Sequence, residues 1–523
     1  MNVRQDIYHQ KTLPLSIEQD IFQLKTRSLA EIDINKNIWT LRAWFYRCRL
    51  VVSTLVVCWL LFVIQKALSP EPSVVSIWQS ITSWAEVVWI IPAPVATIFW
   101  LGWFLFAQAV RSDPNPIRVP SIVIDPSDSL ASRRARLVFR FVTRGDNVDI
   151  LRASVQAVHD AFAHYPLYSG PYRVEVVSEC PVNLVGVTQG RTFVYAIPKS
   201  YMTANQSRFK ARALTYLQEQ VRPDPEDWHI YLDEESKIDA VFIAGIYQFI
   251  MQSEQKMRRP KQRCRGYIGQ GTIIYQGGHW FFRAADAIRT ADDQGRFHLQ
   301  YRLGVPIFGM HGSFIVVRGT DEAHLSFDVG TRNSIAEDTA WALRAWATGF
   351  RFAWIDGYLY EQPPQKVKDF IRQRCRWLIG IRLILSDNTL PLRYKWCLGI
   401  FTYSWHLSLL PMLVAIMALF TRSNAFLWVQ IPANFAWSVF FLSYVQGAYT
   451  QMLRTTQFFT HKKPSFFYIV GARVLSYLLA IGVFWYTLLE SVSIFYSTIR
   501  PRQGFFVIRK PVLLQRKPKE AVL

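Results

Sequence analysis

Apolar residues gather in five blocks near the two ends of the chain. Each block supplies roughly the 20 apolar residues needed to cross a hydrocarbon core of about 30 Å. Buried helices of a large soluble protein would instead show regularly spaced polar residues along one face, which these blocks mostly lack. The pattern therefore predicts membrane spans on both sides of a long polar middle. The blocks cover residues 50–68, 77–108, 396–420, 425–447 and 466–495.

The polar middle alternates predicted strands with a predicted helix. Residues 136–143, 172–177 and 228–232 read as strands, and residues 148–163 read as a helix. This alternation predicts an α/β domain with a mostly parallel sheet, in which ligands bind at the carboxyl ends of the strands. We therefore expect the acids after these strands to share one crevice. They are Asp146 after the first strand, Glu179 after the second, and Asp233, Glu234 and Glu235 after the third.

The charge of the chain adds a topology to this picture. Lys plus Arg number 59 and Asp plus Glu 38, a net charge of +21, while 51% of the residues are hydrophobic. Such an apolar chain is not intrinsically disordered. It is either a nucleic-acid binder or a membrane protein with basic cytoplasmic flanks. Arg42, Arg47 and Arg49 directly precede the first block, and residues 69–76 contain no Lys or Arg. By the positive-inside rule the amino terminus and the polar middle face the cytoplasm, and no nucleic-acid partner is expected.

The carboxyl-terminal blocks and the tail disagree. Three spans after a cytoplasmic domain would place the tail outside, yet residues 498–523 are rich in Lys and Arg, which favours the inside. One block is re-entrant, or a span is split or missed, or the tail breaks the rule. The sequence leaves these alternatives open.

These patterns divide the chain into six segments. We expect a multi-pass protein of the plasma or inner membrane with its catalytic domain in the cytoplasm. The six cysteines form no CxxC pair, so no zinc site is expected. The segments are a cytoplasmic amino-terminal stretch (1–49), two transmembrane helices (50–110), a cytoplasmic domain (111–370), an amphipathic interface helix (371–395), about three transmembrane segments (396–497) and a basic tail (498–523).

The triplet Asp233-Glu234-Glu235 is the first feature that points to chemistry. Residues i and i+2 of an extended segment lie on the same side, so Asp233 and Glu235 can hold one divalent cation together. Carboxylate oxygens suit Mg²⁺ or Mn²⁺, which can neutralise a diphosphate leaving group. The alternative is a helix amino terminus, where acids interact favourably with the dipole. For the triplet in isolation, that alternative is the stronger one.

Two further motifs follow along the chain. Glu337-Asp338 opens an amphipathic helix, either as a simple capping pair or with Asp338 as a general base. Residues 373–377, Gln-Arg-Cys-Arg-Trp, combine guanidinium groups that bind phosphate with an indole that can stack on a sugar or base. The same stretch also reads as a basic amphipathic helix on the membrane surface.

The order and spacing of these pieces resemble the membrane-bound branch of glycosyltransferase family 2. That branch includes the cellulose, chitin and hyaluronan synthases, and the motif residues of this chain resemble more closely those of the egghead-type β-1,4-mannosyltransferases of animals. The resemblance covers roughly residues 137–385. It rests on the motifs around Asp146, Lys210, Asp233–Ser236, Gly269–Gly271, His311–Phe314, Glu337–Asp338 and Gln373–Trp377.

The resemblance implies a nucleotide-diphospho-sugar transferase fold of the GT-A type, inserted between the two sets of transmembrane helices, and an inverting hexosyltransferase. It implies an Mg²⁺ or Mn²⁺ cofactor and two substrates, a nucleotide sugar (GDP-mannose or a UDP-hexose) and a lipid-linked or polysaccharide acceptor. The family pattern has an Asp after the second strand, where this chain has Ser178-Glu179. The implied roles are catalytic base for Asp338; cation binding for Asp233 and Glu235; donor binding for Asp146, Glu179, Lys210, Arg212 and Glu234; and diphosphate or acceptor contacts for Glu337, Gln373, Arg374, Arg376 and Trp377.

Three functions compete on this basis. The leading one is transfer of mannose from GDP-mannose to a lipid-linked or glycolipid acceptor. A processive polysaccharide synthase using a UDP-sugar is the enzymatic alternative, and five apolar blocks are few for a polymer channel. A transporter would place ionisable residues inside several spans. Glu86, His406, Arg473 and Glu490 are the candidates, and they are few and scattered.

Overall fold

The computed structural model describes residues 41–68, 77–105, 135–163, 171–184, 186–187, 190–258, 264–421 and 426–499. Several predictions of the previous section fall outside these ranges. They concern the amino-terminal 40 residues, the loop at 69–76, the start of the cytoplasmic domain at 106–134 and the basic tail from residue 500 onward.

Two apolar hairpin arms precede the sheet domain. Helix α1 (Leu41–Leu68) is followed by α2 (Ile77–Ala85), a short 3₁₀ turn and α3 (Ala93–Leu105). The buried Arg47 of α1 donates hydrogen bonds to the carbonyl oxygens of Phe104 (2.8 Å) and Leu105 (3.2 Å). These bonds satisfy carbonyl groups at the end of α3 that have no partner within the helix. The start of α1 and the end of α3 therefore lie side by side.

A seven-stranded sheet forms the centre of the described middle region, in the order β3-β2-β1-β4-β6-β5-β7. Only β6 runs antiparallel to its neighbours. The predicted mostly parallel α/β sheet is confirmed, and the three strands predicted from the sequence correspond to β1, β2 and β4. The strands are β1 (Arg136–Thr143), β2 (Tyr172–Ser178), β3 (Thr192–Ala196), β4 (Asp227–Asp233), β5 (Tyr267–Tyr275), β6 (Ile315–Arg318) and β7 (Arg351–Glu361).

Nine helices of the described chain surround this sheet. A π-helical turn, Asp293–Phe297, joins two of them. Apolar side chains of the strands and of the helix after β4 form the largest core cluster, which includes Phe139, Val176 and Phe242. The helices are α4 (Val148–Ala163), α5 (Phe209–Gln220), α6 (Ala240–Met257), α7 (Trp280–Ala285), α8 (Ala287–Asp292), α9 (His298–Arg302), α10 (Gly319–Glu322), α11 (Glu337–Ala347) and α12 (Val367–Leu385).

Five helices follow the sheet domain within the described residues. Three stretches of the described chain are long and apolar enough to cross a membrane, namely Trp44–Ala67, Ile77–Leu105 and Trp396–Ala418, and α16 with α17 adds a fourth if this pair, bent by 53°, is one span. The predicted block at 466–495 is therefore a bent pair rather than one straight helix. The helices are α13 (Trp396–His406), α14 (Leu409–Thr421), α15 (Leu427–Thr460), α16 (Phe466–Ala480) and α17 (Val483–Ile499).

Helix α15 differs from the apolar block predicted at 425–447. It continues to Thr460, and it buries polar side chains such as Gln430, Asn434 and Gln451. A Cβ atom on Gly447 would collide with the backbone of Ala287, so the lack of a side chain lets α15 lie directly against α8. The sheet domain and the apolar helices therefore share buried contacts and form one packed unit.

Candidate active site

The carboxyl ends of β1, β2 and β4 open onto one cavity of about 840 Å³. Thr143, Glu179 and Asp233 lie on its wall, so the predicted convergence of acids is confirmed for the second and third strands. Asp146 is exposed instead and is not among the lining residues, although its carboxylate lies 3.6 Å from the guanidinium of Arg144, which lines the cavity. A role for Asp146 in donor binding stays a prediction.

The three acids after β4 all line the cavity, and Glu234 also makes hydrogen bonds within the sheet domain. Glu234 turns back toward β1 and accepts hydrogen bonds from Thr143 Oγ1 (2.6 Å) and Asn147 Nδ2 (2.5 Å). Burial raises the pKa of Glu234 although both hydrogen bonds oppose that shift. Glu234 therefore ties the ends of β1 and β4 together, and it lines the cavity beside Asp233 and Glu235.

Lys210 lies between the two groups of acids. Its Nζ pairs with Asp233 and donates a hydrogen bond to the carbonyl oxygen of Gly312 at 2.7 Å. Burial opposes the charge on the amine, but Asp233, Glu337 and Asp338 outweigh it and raise the pKa of Lys210. The ammonium group thus stays charged at the centre of the carboxylates.

Glu337 and Asp338 form the first turn of α11. Asp338 Oδ1 accepts a hydrogen bond from the backbone N–H of Thr339 at 2.7 Å, which fixes the carboxylate. Removal from water raises the pKa of both acids, and for Glu337 the charge of Asp338 adds to the effect. A Cβ atom at Gly312 would lie 3.1 Å from Asp338 Oδ2, so this glycine leaves room beside the carboxylate. A raised pKa is what a general base needs in order to accept a proton.

The donor set suits a hard divalent cation shared with a substrate. Within the described ranges, no three His, Cys, Asp or Glu side chains form a metal-binding group. Asp233 and Glu235 nevertheless offer carboxylate oxygens to the same cavity. Mg²⁺ is commonly held by one or two carboxylates together with the phosphates of a substrate. The residues present therefore fit a cation that binds with a nucleoside diphosphate.

Helix α12 brings the third predicted motif to the cavity. Gln373, Arg376 and Trp377 occupy positions i, i+3 and i+4, which lie on one helix face, and all three line the cavity. Arg376 is near enough to lower the pKa of Asp338 against the larger effect of burial. The motif thus presents an amide, a guanidinium and an indole opposite the acids.

Arg374 differs from the other members of this motif. Its side chain is only 1% exposed, and Nε donates to Glu490 Oε2 at 2.8 Å while Nη2 donates to Asp286. Its third nitrogen, Nη1, donates to Gln373 Oε1 at 2.6 Å. Arg374 therefore binds protein carboxylates, and a direct contact with the diphosphate stays only a prediction.

Glu179 and Arg212 were both predicted to bind the donor, and both line the cavity. They lie 3.7 Å apart as an ion pair. Arg212 also donates hydrogen bonds to the carbonyl oxygens of Tyr201 (3.1 Å) and Pro198 (3.0 Å). Arg212 thereby anchors the segment after β3 to α5. Its ion pair with Glu179 also links α5 to the residue that follows β2.

Two further residues on the cavity wall, Glu361 and His311, have no role assigned from the sequence. Glu361, at the end of β7, accepts hydrogen bonds from Ser313 Oγ (2.5 Å) and Ser236 Oγ (3.3 Å), which links the turn after β4 to the loop before β6. His311 is 2.6 Å from Asp293 through Nε2, and its ring stacks on Phe297. A glutamate ending an apolar strand is the only signal that marks Glu361.

The cavity also extends between the apolar helices. Side chains from α3, α13 and α15 line this arm, among them Phe99, Phe401 and Phe440. Arg296 lies where the polar and apolar parts meet, paired with Asp292 and with its guanidinium carbon 3.6 Å from the centre of the Phe401 ring. The acids and the apolar arm therefore belong to one continuous space.

Known proteins and one family model resemble this chain in sequence. Residues 228–489 match the family model described as glycosyl transferase family group 2. The Beta-1,4-mannosyltransferase egh of Drosophila melanogaster is 34% identical over 275 residues, 51% of this chain and 57% of that protein. The Beta-1,4-mannosyltransferase bre-3 of Caenorhabditis briggsae is 29% identical over 383 residues, 72% of this chain and 78% of that protein. The chain thus spans little more than half the length of the fly relative.

Likeness to solved structures is looser. A mannosyltransferase, PcManGT from Pyrobaculum calidifontis, in complex with GDP-Man and Mn2+, superimposes with a TM-score of 0.41 at 12% identity, covering 78% of this chain and 99% of that one. TarS of S. aureus superimposes with a TM-score of 0.32 at 10% identity, covering 66% and 90% of the two chains.

Proposed function

This chain belongs to glycosyl transferase family group 2, and from that premise we propose that it transfers mannose from GDP-mannose, in β linkage, to a lipid-linked or glycolipid acceptor. The proposed sugar and linkage rest on the Beta-1,4-mannosyltransferases that share 29–34% of their residues with it. The proposed acceptor rests on the cavity.

One observation carries the proposal. The same cavity holds the Asp233–Glu235 turn, the Glu337–Asp338 pair and the Gln373–Trp377 face, and it continues between α3, α13 and α15. A polar nucleotide sugar fits the arm at the sheet edge, because carboxylates and guanidinium groups line it. An acceptor with an apolar chain fits the other arm, because aromatic side chains line it. The two arms meet at Arg296, and Asp338 lines the same cavity.

The residues then have defined tasks in the proposed reaction. Asp338 takes the proton of the acceptor hydroxyl, whose oxygen forms a bond to the anomeric carbon on the face opposite the leaving group. The bond from that carbon to the diphosphate oxygen breaks, and the nucleoside diphosphate leaves with the bonding electrons, which inverts the configuration. Arg376 and Lys210 stabilise the negative charge that gathers on the diphosphate. A divalent cation at Asp233 and Glu235 would supply further charge neutralisation there.

We also propose that the sheet domain and the amino terminus lie on the cytoplasmic side. Arg47 joins the start of α1 to the end of α3, so both ends of this hairpin lie on the same side as the domain that follows. Arg42 and Arg49 at the start of α1 and the basic stretch 454–463 at the end of α15 support the cytoplasm as that side.

A donor screen tests the proposal. Isolated membranes containing the chain are incubated with radiolabelled GDP-mannose, UDP-glucose or UDP-N-acetylglucosamine, and label is measured in organic extracts and in polymer retained on a filter. The expected result is mannose transfer into the extractable lipid fraction, absent from membranes carrying Asp338→Asn. Label in retained polymer from a UDP-sugar would favour a processive synthase. Label from no donor would refute transfer by this site.

A further inference from the structure

A cluster of four charged residues lies beside the Gln373–Trp377 motif, and three of its members line the same cavity. We call Arg374, Glu490, Asp286 and Arg289 the Arg374 cluster. Arg374 pairs with Glu490 and with Asp286, and Arg289 lies 3.9 Å from Asp286. Two guanidinium groups thus balance two carboxylates. The cluster joins three elements, because Asp286 precedes α8, Arg374 is in α12 and Glu490 is in α17.

The motif helix divides its side chains between two neighbours. Gln373, Arg374, Arg376 and Trp377 line the cavity, and Arg374 together with Cys375 also contacts α17. The Cys375 thiol donates to the carbonyl oxygen of Ser493 at 3.1 Å, about one turn beyond Glu490. The contact with α17 therefore sets how far and at what angle the other face enters the cavity.

The cluster also touches the indole at the cavity wall. The guanidinium carbons of Arg289 and Arg374 lie 4.4 Å and 4.6 Å from the centre of the Trp377 ring. Cations at such distances are attracted to an aromatic face. The position of Trp377 therefore depends on two groups that are themselves held by Asp286 and Glu490.

Glu490 is an unusual residue for its helix. The other residues of α17 are uncharged, and a carboxylate among apolar neighbours is costly unless it is paired. Arg374 and Asp286 are 1% and 0% exposed, so both also need their charges matched inside the protein. Without the carboxylate of Glu490, two guanidinium groups would surround a single acid. The motif helix would then lose the ionic tie to α17.

We propose that Glu490 is a positioning residue for sugar transfer, which acts through Arg374 to hold Gln373, Arg376 and Trp377 at the cavity. The positioning role rests on the proposed function, since it assumes that transfer takes place in this cavity. Helix α17 thereby takes part in sugar transfer through its contact with the motif helix.

Kinetics of the full chain in membranes test this role. Glu490→Gln keeps the shape of the side chain and removes the charge. We expect kcat to fall about 10- to 100-fold, because a displacement of catalytic groups by about 1 Å can cost that much. The KM for the donor should change less than kcat, and Glu490→Asp should recover much of the loss. In an Arg374→Met background, Glu490→Gln should cause no further fall. Val492→Ala, at a 42% exposed position of the same helix, is the control and should match the wild type.

A second measurement needs no activity. In a chain whose five other cysteines are replaced by serine, maleimide labels only Cys375. Burial raises the pKa of the Cys375 thiol to about 11, which keeps labelling slow because the thiolate is the reactive form. Release of α12 from α17 in Glu490→Gln should admit water and increase the labelling rate on the order of tenfold.

The outcomes separate the two ideas. Wild-type kcat in Glu490→Gln, an equal loss in both Arg374 backgrounds, or unchanged labelling would each overturn the positioning role. If the wild type transfers sugar from no donor, the proposed function fails. The labelling rate then still decides whether Glu490 holds the motif helix.

Discussion

Replacement of Asp338 by asparagine tests the catalytic centre most directly. Asparagine has nearly the same volume, and its Oδ1 can still accept the hydrogen bond from Thr339 N–H, so the first turn of α11 should keep its geometry. Lys210 and Arg376 also remain in place. What is lost is the group proposed to accept the proton of the acceptor hydroxyl.

The size of the effect follows from that single loss. A positioned general base contributes about 10²- to 10⁴-fold to a rate. A loss of about 10³-fold corresponds to roughly 4 kcal/mol of activation free energy. In the proposed reaction the donor contacts the Asp233–Glu235 turn and α12 rather than the base, so its affinity should change by less than about threefold, under 1 kcal/mol.

Radiolabel transfer in membranes, at saturating donor and across a range of pH, measures this effect. Burial raises the pKa of Asp338, so its deprotonated fraction, and with it kcat, should fall on acidification at a pH above the usual range of an aspartate. Asp338→Asn should lose this acid limb. Asp149→Asn, an exposed aspartate on α4 paired with Arg152, serves as the control and should keep both rate and profile. A kcat within a few-fold of wild type, or an acid limb that persists in Asp338→Asn, would refute the role of Asp338.

Three further outcomes follow from the structure. Chelation with EDTA should stop transfer and added Mn²⁺ should restore it, because Asp233 and Glu235 would hold the cation; full activity in chelator would exclude that role. Gly447→Ala should lower the unfolding free energy by about 1–3 kcal/mol through a clash between α15 and α8, whereas Gly471→Ala, with open space around it, should be neutral or slightly stabilising; equal thermal shifts would contradict this. Glu322→Gln should cost about 3 kcal/mol at pH 7, because the buried Arg140 loses one of its two carboxylate partners and keeps only Glu175, and denaturant titration should detect it. Arg140 and His229 outweigh burial and lower the pKa of Glu322 to about 2, so wild-type stability from this group should persist above about pH 4.5 and be lost as the pH falls toward 2, a trend that the variant should lack.

The sheet and its acids could be predicted because local pattern determines them. Five of the eight residues of strand β1 are β-branched or aromatic, and the acids after β2 and β4 follow from where the strands end. In a parallel sheet, those ends share one edge whatever the rest of the chain does. Convergence of Glu179 with Asp233 and Glu235 thus needed no knowledge of long-range packing.

Partners brought together from distant parts of the chain could not be predicted in this way. Arg374 lines the cavity like its neighbours in sequence, but its carboxylate partner Glu490 is 116 residues further along. The length of α15 was also underestimated, since its polar residues look like a helix end until α8 is placed against them. In both cases the contacting surface belongs to another element, which a single stretch of sequence does not show.

The close contact of α15 with α8 at Gly447 bears on modularity. Side chains of α7 and α8 share core clusters with α3, α15 and α17, and Trp103 of α3 donates a hydrogen bond to the carbonyl oxygen of Ala291. An excised fragment of residues 135–395 would carry the sheet and the acids, yet it would leave these apolar faces in water, where they favour aggregation. The enzyme is therefore not a self-contained sheet domain tethered to an anchor, because the apolar helices supply part of its folded core.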